Sequence, residues 1–257
     1  MPSYLISFDG ILWLLLTLGP LIFLQRALHR AIQTVFLLIT RRPEITVALF
    51  SLLFFPGVLL HEGSHFLMAK LLGVPTGRVS LIPESMKGNR LRLGFVETAS
   101  TDIIRDALIG TAPLMTGGLF VAYAGIAHLS LLSVWDGFTN GGMSAALGAL
   151  MSSFDVQDFW LWFYLMVTVS STMFPSPSDR RAWLPVSLIL TLIIGLGVLF
   201  GAGPWMSENL LPVLNNSLRG VSIVFAISAG VHLVVLIPTW LIGKILAGVM
   251  GVKVQRS

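Results

Sequence analysis

The chain has 257 residues, of which 55 % are hydrophobic and only 11 % are Asp, Glu, Lys or Arg, with a net charge of +4. Because a soluble domain carries about 25 % charged residues, this composition excludes an ordinary soluble protein and predicts a polytopic membrane protein. The positive residues form short clusters between apolar runs, so we expect contact with the lipid bilayer and no nucleic-acid partner. The absence of cysteine excludes disulfides, thiol catalysis and a cysteine-ligated metal.

The N-terminal unit is predicted to comprise residues 1–43. Residues 1–24 are apolar, contain Asp9, lack an early positive region and end without a small-residue cleavage pattern. These features predict an uncleaved membrane segment rather than a signal peptide. Residues 25–43 place positive side chains around a short apolar piece, which predicts an interfacial helix.

The next apolar run predicts a membrane-spanning helix that contains an H-E-x-x-H motif, His61, Glu62 and His65. Residues four apart lie on one face of a helix, so both imidazoles can bind one ion while Glu62 stays available as a base. Zinc suits these ligands because it accepts imidazole nitrogen and acidifies water. The motif begins about 25 Å along the helix from Glu44, within a hydrocarbon core of about 30 Å. Ionisable groups at such a depth are functional by default.

The segment after this helix, residues 74–102, is the least apolar internal part of the chain. The alternation of residue types at 90–95 predicts a β-hairpin or a re-entrant loop beside the motif. Further spans are predicted at 104–132, 157–174, 182–203 and 220–248. Residues 133–156 are rich in Gly and Ser and contain no Lys or Arg. The predicted fold class is an all-α polytopic membrane protein with about six transmembrane helices and a small membrane-associated β-hairpin after the metal-binding helix.

The distribution of positive residues predicts the orientation. Eleven Lys or Arg residues fall on the predicted Lys70 side, including the tail from Lys244, and five fall on the other side. By the positive-inside rule, this predicts a multi-pass protein of the cell membrane whose active site opens toward the cytoplasm. The four arginines before Glu44 do not fit this alternation, and the side of the N-terminus stays open.

A catalytic zinc has three protein ligands, so a third ligand must come from elsewhere in the chain. Asp179 stands out because Pro175 and Pro177 precede it, and irregular backbone at membrane depth is tolerated where it lines a cavity or packs against protein. A cap on a helix that starts near Arg181 is the alternative role of Asp179. The downstream acids are Glu84, Glu97, Asp102, Asp106, Asp136, Asp155, Asp158, Asp179 and Glu208.

Three segments of the chain resemble the site-2 protease family. Residues 61–74 resemble its metal helix and the exit into a hairpin, residues 110–116 resemble its Gly-Pro-x-x-Asn segment, and residues 172–179 resemble its Asn-x-x-Pro-x-Pro-x-x-Asp-Gly signature. The resemblance covers roughly residues 44–185. Thr116 and Thr172 stand where the family often has Asn, Arg180 replaces a Gly, and Asp179 is one residue nearer the second proline than usual.

This resemblance implies a function and a division of the chain. The implied zinc ligands are His61, His65 and Asp179, with Glu62 as general base and acid; Thr116 and Thr172 stand at the substrate-binding positions. The implied reaction is hydrolysis of a peptide bond in or near a transmembrane helix of a membrane-protein substrate. An edge strand of the hairpin would hold the unwound substrate. The metalloprotease core would be residues 44–185, followed by C-terminal transmembrane helices at 186–257.

Three alternatives to this interpretation stay open. In one, the third ligand is Glu97 in another kind of membrane-embedded zinc protease. In the second, the chain is a catalytically inactive site-2-protease-like subunit that binds transmembrane partners, which the altered second and third motifs favour. In the third, the motif is a metal or proton relay of a transporter, although no inverted repeat is evident. Of the other histidines, His128 and His232 are predicted to have structural roles.

Overall fold

The computed structural model of the protein describes residues 9–82, 84–86 and 90–252, and most of these are helical. The helices are α1 (Asp9–Thr40), α2 (Pro43–Leu71), α3 (Ile103–Ala127), α4 (Leu131–Ser153), α5 (Phe159–Thr172), α6 (Trp183–Leu199) and α7 (Leu211–Val249). Two short helical segments, Gly203–Trp205 and the π-helical turn Met206–Leu210, lead into α7. The strands are β1 (Thr76–Ser80), β2 (Glu84–Met86), β3 (Arg90–Arg92) and β4 (Phe95–Thr98).

Four of these helical stretches are long and apolar enough to cross a membrane: α1, α2, α3 and Gly203–Val249. The apolar helices α5 and α6 are shorter, with 14 and 17 residues. Large apolar side chains face outward, and Leu52 and Leu119 are each 70 % exposed, as expected of helices surrounded by lipid. The prediction of a mostly helical chain is confirmed, and four stretches fit membrane-spanning helices, whereas the predicted number of six spans is not confirmed.

The first helix is longer than predicted. Within the described residues, the predicted membrane segment and the predicted interfacial helix form one continuous helix, α1, of 32 residues. The sequence between residues 21 and 40 contains no glycine or proline that would end it, and the helix continues through Pro20. Residues 1–8 of the predicted segment lie outside the described part of the chain.

The N-terminal and C-terminal helices run parallel to each other. Asn215 near the start of α7 donates to the carboxylate of Asp9 at the start of α1, at 2.9 Å, while Gly243 near the end of α7 faces Val35. By contrast, α1 and α2 form an antiparallel pair, since Thr40 lies 3.1 Å from Thr46 across the turn between them. The start of α7 therefore lies at the Lys70 end of the bundle.

This arrangement corrects the predicted distribution of positive residues. Arg219 binds Asp9 at the Lys70 end, and Lys244 lies at the opposite end. The prediction treated residues 182–203 as a helix that crosses the whole membrane. Such a span would place Arg219 at the opposite end and Lys244 at the Lys70 end. Instead, α6 and α7 both start near the Lys70 end of the bundle. The excess of positive residues at that end is therefore smaller than predicted.

The segment between α2 and α3 forms the predicted β-structure. Strand β1 pairs with β4 and β2 pairs with β3, both antiparallel, with Val79 opposite Val96 in the outer pair. In the described part of the chain, β1 pairs with no other strand. Residues 133–156, for which no element was predicted, lie mostly in α4, which breaks at Gly142 where φ is 74°.

Candidate metal centre

Two elements bring three potential metal ligands together. His61 and His65 lie one turn apart near the end of α2, and Asp179 lies in the loop between α5 and α6. The Oδ2 atom of Asp179 is 3.9 Å from Nε2 of His61 and 3.6 Å from Nε2 of His65. The three ligand atoms lie within 4.8 Å of one another, and no other such group occurs among the residues that the structure describes. All three side chains are less than one-fifth exposed.

Backbone carbonyls orient both imidazoles toward this point. Nδ1 of His61 donates to the carbonyl of Thr172 at 2.6 Å, and Nδ1 of His65 donates to the carbonyl of Ile109 at 2.8 Å. A carbonyl can only accept, so the proton of each neutral ring resides on Nδ1 and Nε2 keeps its lone pair. This is the tautomer that a metal-binding histidine adopts when its second nitrogen is hydrogen-bonded.

The sequence explains why these two carbonyls are available. Pro113 in α3 has no N–H, so the carbonyl four residues earlier, that of Ile109, has no helical partner. Thr172 is the last residue of α5, where helix carbonyls also lack partners, and the two prolines that follow prevent the helix from continuing. Pro113 in the second motif and the end of α5 in the third motif therefore orient the two histidines, because each leaves a backbone carbonyl free to accept from an imidazole.

A tight turn holds the carboxylate of Asp179 in the site. Oδ2 accepts from the backbone N–H of Ser176 at 2.7 Å, and the Asp179 N–H donates back to the Ser176 carbonyl at 3.1 Å. Burial alone would raise the pKa of the Asp179 carboxyl, and the hydrogen bonds from Ser176 oppose this effect by favouring the ionised carboxylate. The alternative helix-capping role is not seen, because α6 starts after Ala182 without a side-chain cap.

Two glycines allow the backbones around the site to approach closely. A Cβ atom on Gly110 of α3 would lie 1.9 Å from the Asp179 carbonyl oxygen, and one on Gly57 of α2 would lie 2.3 Å from the Thr168 carbonyl oxygen. Neither glycine was identified from the sequence as important to the site. Two sequence features could have identified them: Gly110 stands at the start of the second motif, and Gly57 stands one turn before His61.

We expect Gly110→Ala to weaken metal binding by at least about tenfold, as substitutions next to metal ligands do. The added methyl group forces the Asp179 loop away from α3 and moves the carboxylate away from the histidines. The measurement is zinc content of the purified protein after dialysis against buffered zinc. Gly118→Ala on the same helix is the matched control, since the nearest atom to its Cβ lies 3.9 Å away. Equal zinc content in both variants would contradict this role of Gly110.

Glu62 lies beside the two histidines in an apolar cleft. Its residue surface is only 8 % exposed, and a Cβ on Gly94 would lie 2.9 Å from its Cγ, so the strand segment before β4 covers it. The cleft measures ≈ 200 Å³. Its walls come from α2 and the β1 segment: Leu59, Glu62, Gly63, Phe66, Val79 and Leu81.

The two threonines at the predicted substrate-binding positions use their hydroxyls within their own helices. The Thr116 hydroxyl donates to the Ala112 carbonyl at 2.9 Å, and that of Thr172 donates to the Thr168 carbonyl at 3.0 Å. Thr172 contributes to the site through its carbonyl. Contact of these two threonines with a substrate stays a prediction.

The other acidic candidates lie in different surroundings. Glu97 on β4 accepts from Arg78 at 3.2 Å and is half-exposed. Asp102 caps α3 by accepting from two backbone N–H groups, and Asp106 pairs with Arg181. None of these three belongs to the three-ligand group, and the side chain of Glu84 lies outside the described part of the chain.

The two remaining predicted histidines have structural surroundings, as expected. His232 is fully buried and hydrogen-bonds Ser171 at 2.9 Å and the Ser228 carbonyl at 2.6 Å. His128 lies 3.2 Å from the Tyr123 hydroxyl and stacks on Trp162 with ring centroids 3.7 Å apart.

The donor set fits a metal ion. Two imidazole nitrogens and one carboxylate oxygen are ligands that tetrahedral zinc accepts, and bond lengths of about 2.0 to 2.2 Å place such ligand atoms about 3.4 Å apart. The carboxylate oxygen is within 0.5 Å of that spacing from both imidazole nitrogens, at 3.9 and 3.6 Å. Compared with protein-family models, curated proteins and solved structures, the chain has no match. The fold and the site define a helical membrane protein with a candidate metal centre of two histidines and an aspartate.

Proposed function

We propose that this protein is a zinc-dependent intramembrane endopeptidase of the site-2 protease type. One observation carries the proposal: the Nε2 atoms of His61 and His65 face the carboxylate of Asp179, directly beside a buried glutamate in an apolar helix. Two imidazoles, one carboxylate and an adjacent base form the donor set of a hydrolytic zinc site with one coordination position left for water.

His61, His65 and Asp179 would hold the ion. Bound there, zinc would supply Lewis acidity, which lowers the pKa of water and polarises a peptide carbonyl. Glu62 then accepts a proton from the attacking water as the new C–O bond forms at the carbonyl carbon. It returns that proton to the amide nitrogen as the C–N bond breaks, so a carboxyl group and an amine result.

The surroundings of Glu62 favour an apolar, extended substrate. The cleft beside it has walls of Leu59, Phe66, Val79 and Leu81, which suit the side chains of a transmembrane segment. The carbonyls of an intact helix are hydrogen-bonded, so the substrate helix must unwind before the reaction. Because β1 pairs only with β4 among the described strands, its second edge can accept the unwound segment as an added strand.

The proposal includes a location in the cell membrane, with the site opening toward the cytoplasm. Arg78, Arg105, Arg180, Arg181 and Arg219 belong to the Lys70 end of the bundle, to which the metal ligands are nearer. Positive residues near helix ends favour the cytoplasmic side. Protease accessibility of a tag placed in the turn between α1 and α2, at the opposite end of the bundle, would test this orientation in sealed vesicles.

Removal of the metal should abolish cleavage reversibly. The full-length protein, purified in detergent, is incubated with single-span peptides whose apolar helix contains a helix-destabilising Gly-Pro pair, and products are identified by mass spectrometry. We expect 1,10-phenanthroline to stop product formation and added zinc to restore it. Cleavage that continues in the metal-free protein would exclude the proposed mechanism.

A second candidate function is that of an inactive subunit which retains the metal site and binds transmembrane helices. The hydroxyls of Thr116 and Thr172 favour it, because both donate to their own helices and no side-chain amide occupies these positions. This candidate predicts a zinc-loaded protein that binds the test peptides and cleaves none of them.

A further inference from the structure

The outward face of α1 carries two arginines far from either end of the helix. Gly19, Phe23, Arg26 and Arg30 follow one another at spacings of four, three and four residues, which places them on one stripe of the helix. The residues that bury or bond α1 to the rest of the bundle form the opposite stripe, Leu21, Gln25, Leu28 and Ile32. Arg26 and Arg30 are both exposed.

The contacts of α1 locate these arginines near mid-depth. His29, between them, packs edge-on against Phe50 and Phe54, with ring centroids 5.3 and 4.9 Å apart. Phe50 and Phe54 lie six and ten residues from Glu44, or about 9 and 15 Å along α2, and Phe54 lies about 24 Å from Lys70. Gln25, next to Arg26, donates to the carbonyl of Ser171. Arg26, one turn deeper than Arg30, therefore lies within the hydrocarbon core, where a charged group is costly.

Neither guanidinium has an acidic partner among the described residues. Arg30 donates through Nε to the Arg26 carbonyl at 3.3 Å, which leaves its two terminal nitrogens available. Nε2 of His29 is buried and has no hydrogen-bond partner in the described part of the chain. Charged groups inside a membrane are costly and normally pair, so two unpaired arginines on an outward face indicate a missing anionic partner.

We propose that this face binds a transmembrane helix of a partner protein that carries an Asp or Glu near its middle. The groove beside Gly19, Phe23, Arg26 and Arg30 measures ≈ 540 Å³. A Cβ on Gly19 would meet nothing within 4 Å, so a second helix can approach closely there. Two guanidinium groups one turn apart provide planar donors that match a carboxylate.

The acidic residues of this chain argue against a second copy as the occupant. Glu62 lies in the metal site, and Asp9 is bound by Arg219 and Asn215 at the end of the bundle. No other acid lies within the middle of α1, α2, α3 or α7. Asp136 of α4 and Glu208 of the turn before α7 also lie outside these helix centres, so we infer that the carboxylate comes from another protein. This inference does not depend on the metal site or on the proposed peptidase activity.

The test uses designed single-span peptides as probes for the full-length protein reconstituted in vesicles of neutral lipid. Association is measured by energy transfer between a label on the protein and one on a leucine-rich helix with a central Asp. We expect the Asp peptide to bind at least tenfold more tightly than the same peptide with Asn at that position. The comparison uses the unaltered protein, so it does not depend on the folding of a variant.

Variants then locate the binding face. Arg26→Gln with Arg30→Gln should abolish the preference for Asp, while Arg42→Gln, at the turn after α1, should retain it. Unchanged zinc content and thermal unfolding would show that the double variant is folded. Equal binding of the Asp and Asn peptides, or a preference that survives in the double variant, would overturn the proposal. Two further results would also overturn the proposal. One is self-association of the protein in the absence of peptide that is lost in the double variant. The other is loss of the preference for Asp when anionic lipid is added.

Discussion

Glu62→Gln is expected to keep its zinc and to lose peptide-bond cleavage by about 10²- to 10⁴-fold, the usual contribution of a positioned general base and acid. Gln has nearly the same shape as Glu, so the buried cleft beside α2 and β1 keeps its packing. It cannot accept a proton from water or return one to the leaving amine. The measurement is the initial rate of product formation from the single-span test peptide, with zinc content determined on the same preparation.

Glu97→Gln is the matched control for this variant. Glu97 is half-exposed on β4 and pairs with Arg78, so the same chemical change there should leave cleavage within about twofold of the wild type. If Glu62→Gln and the wild type cleaved at the same rate, Glu62 would not be the base and the proposed reaction would be wrong. If neither the wild type nor Glu62→Gln cleaved the peptide while both bound zinc, the inactive-subunit function would replace the proposal.

Asp179→Ala is expected to reduce zinc affinity by at least about 100-fold. This loss exceeds that expected when a group that only hydrogen-bonds a metal ligand is removed. The two histidines would remain as the sole protein ligands on α2, and zinc at such a site is held too weakly to survive dialysis. Zinc content per protein, and the zinc concentration needed for half-maximal loading, provide the measurement. Cleavage should fall in parallel with zinc content.

Glu97→Ala distinguishes the two candidate third ligands. In the structure, the carboxylate of Glu97 pairs with Arg78, whereas that of Asp179 lies 3.6 Å from His65. The Glu97 variant should therefore retain full zinc content. The reverse result, with zinc lost in Glu97→Ala and kept in Asp179→Ala, would assign the metal site to a different ligand set and exclude Asp179.

Local sequence patterns predicted much of the site. His61 and His65 are four residues apart in an apolar run, and helix geometry alone places them on one face. Asp179 could be singled out because two prolines interrupt an apolar helix just before it. Likewise, the alternation at residues 90–95 predicted the β-structure, because period two is specific to strands.

The orientation of the ligands could not be predicted in the same way. The carbonyls that hold His61 and His65 belong to Thr172 and Ile109, which are 111 and 44 residues away in the chain. The close approach of Gly110 to the Asp179 loop is equally remote in sequence. The predicted position of Lys244 was wrong because the sequence does not reveal that α7 runs parallel to α1.

By itself, the sequence determined the membrane environment, the helix that carries the H-E-x-x-H motif and the residue types available to a metal, since composition and periodicity depend on near neighbours only. The tertiary structure decided which acid faces the histidines, which ring nitrogens are free and which arginines of α1 face outward. These properties depend on how α1, α3, α5 and α7 pack against α2. Packing between helices is a long-range property that no local pattern specifies.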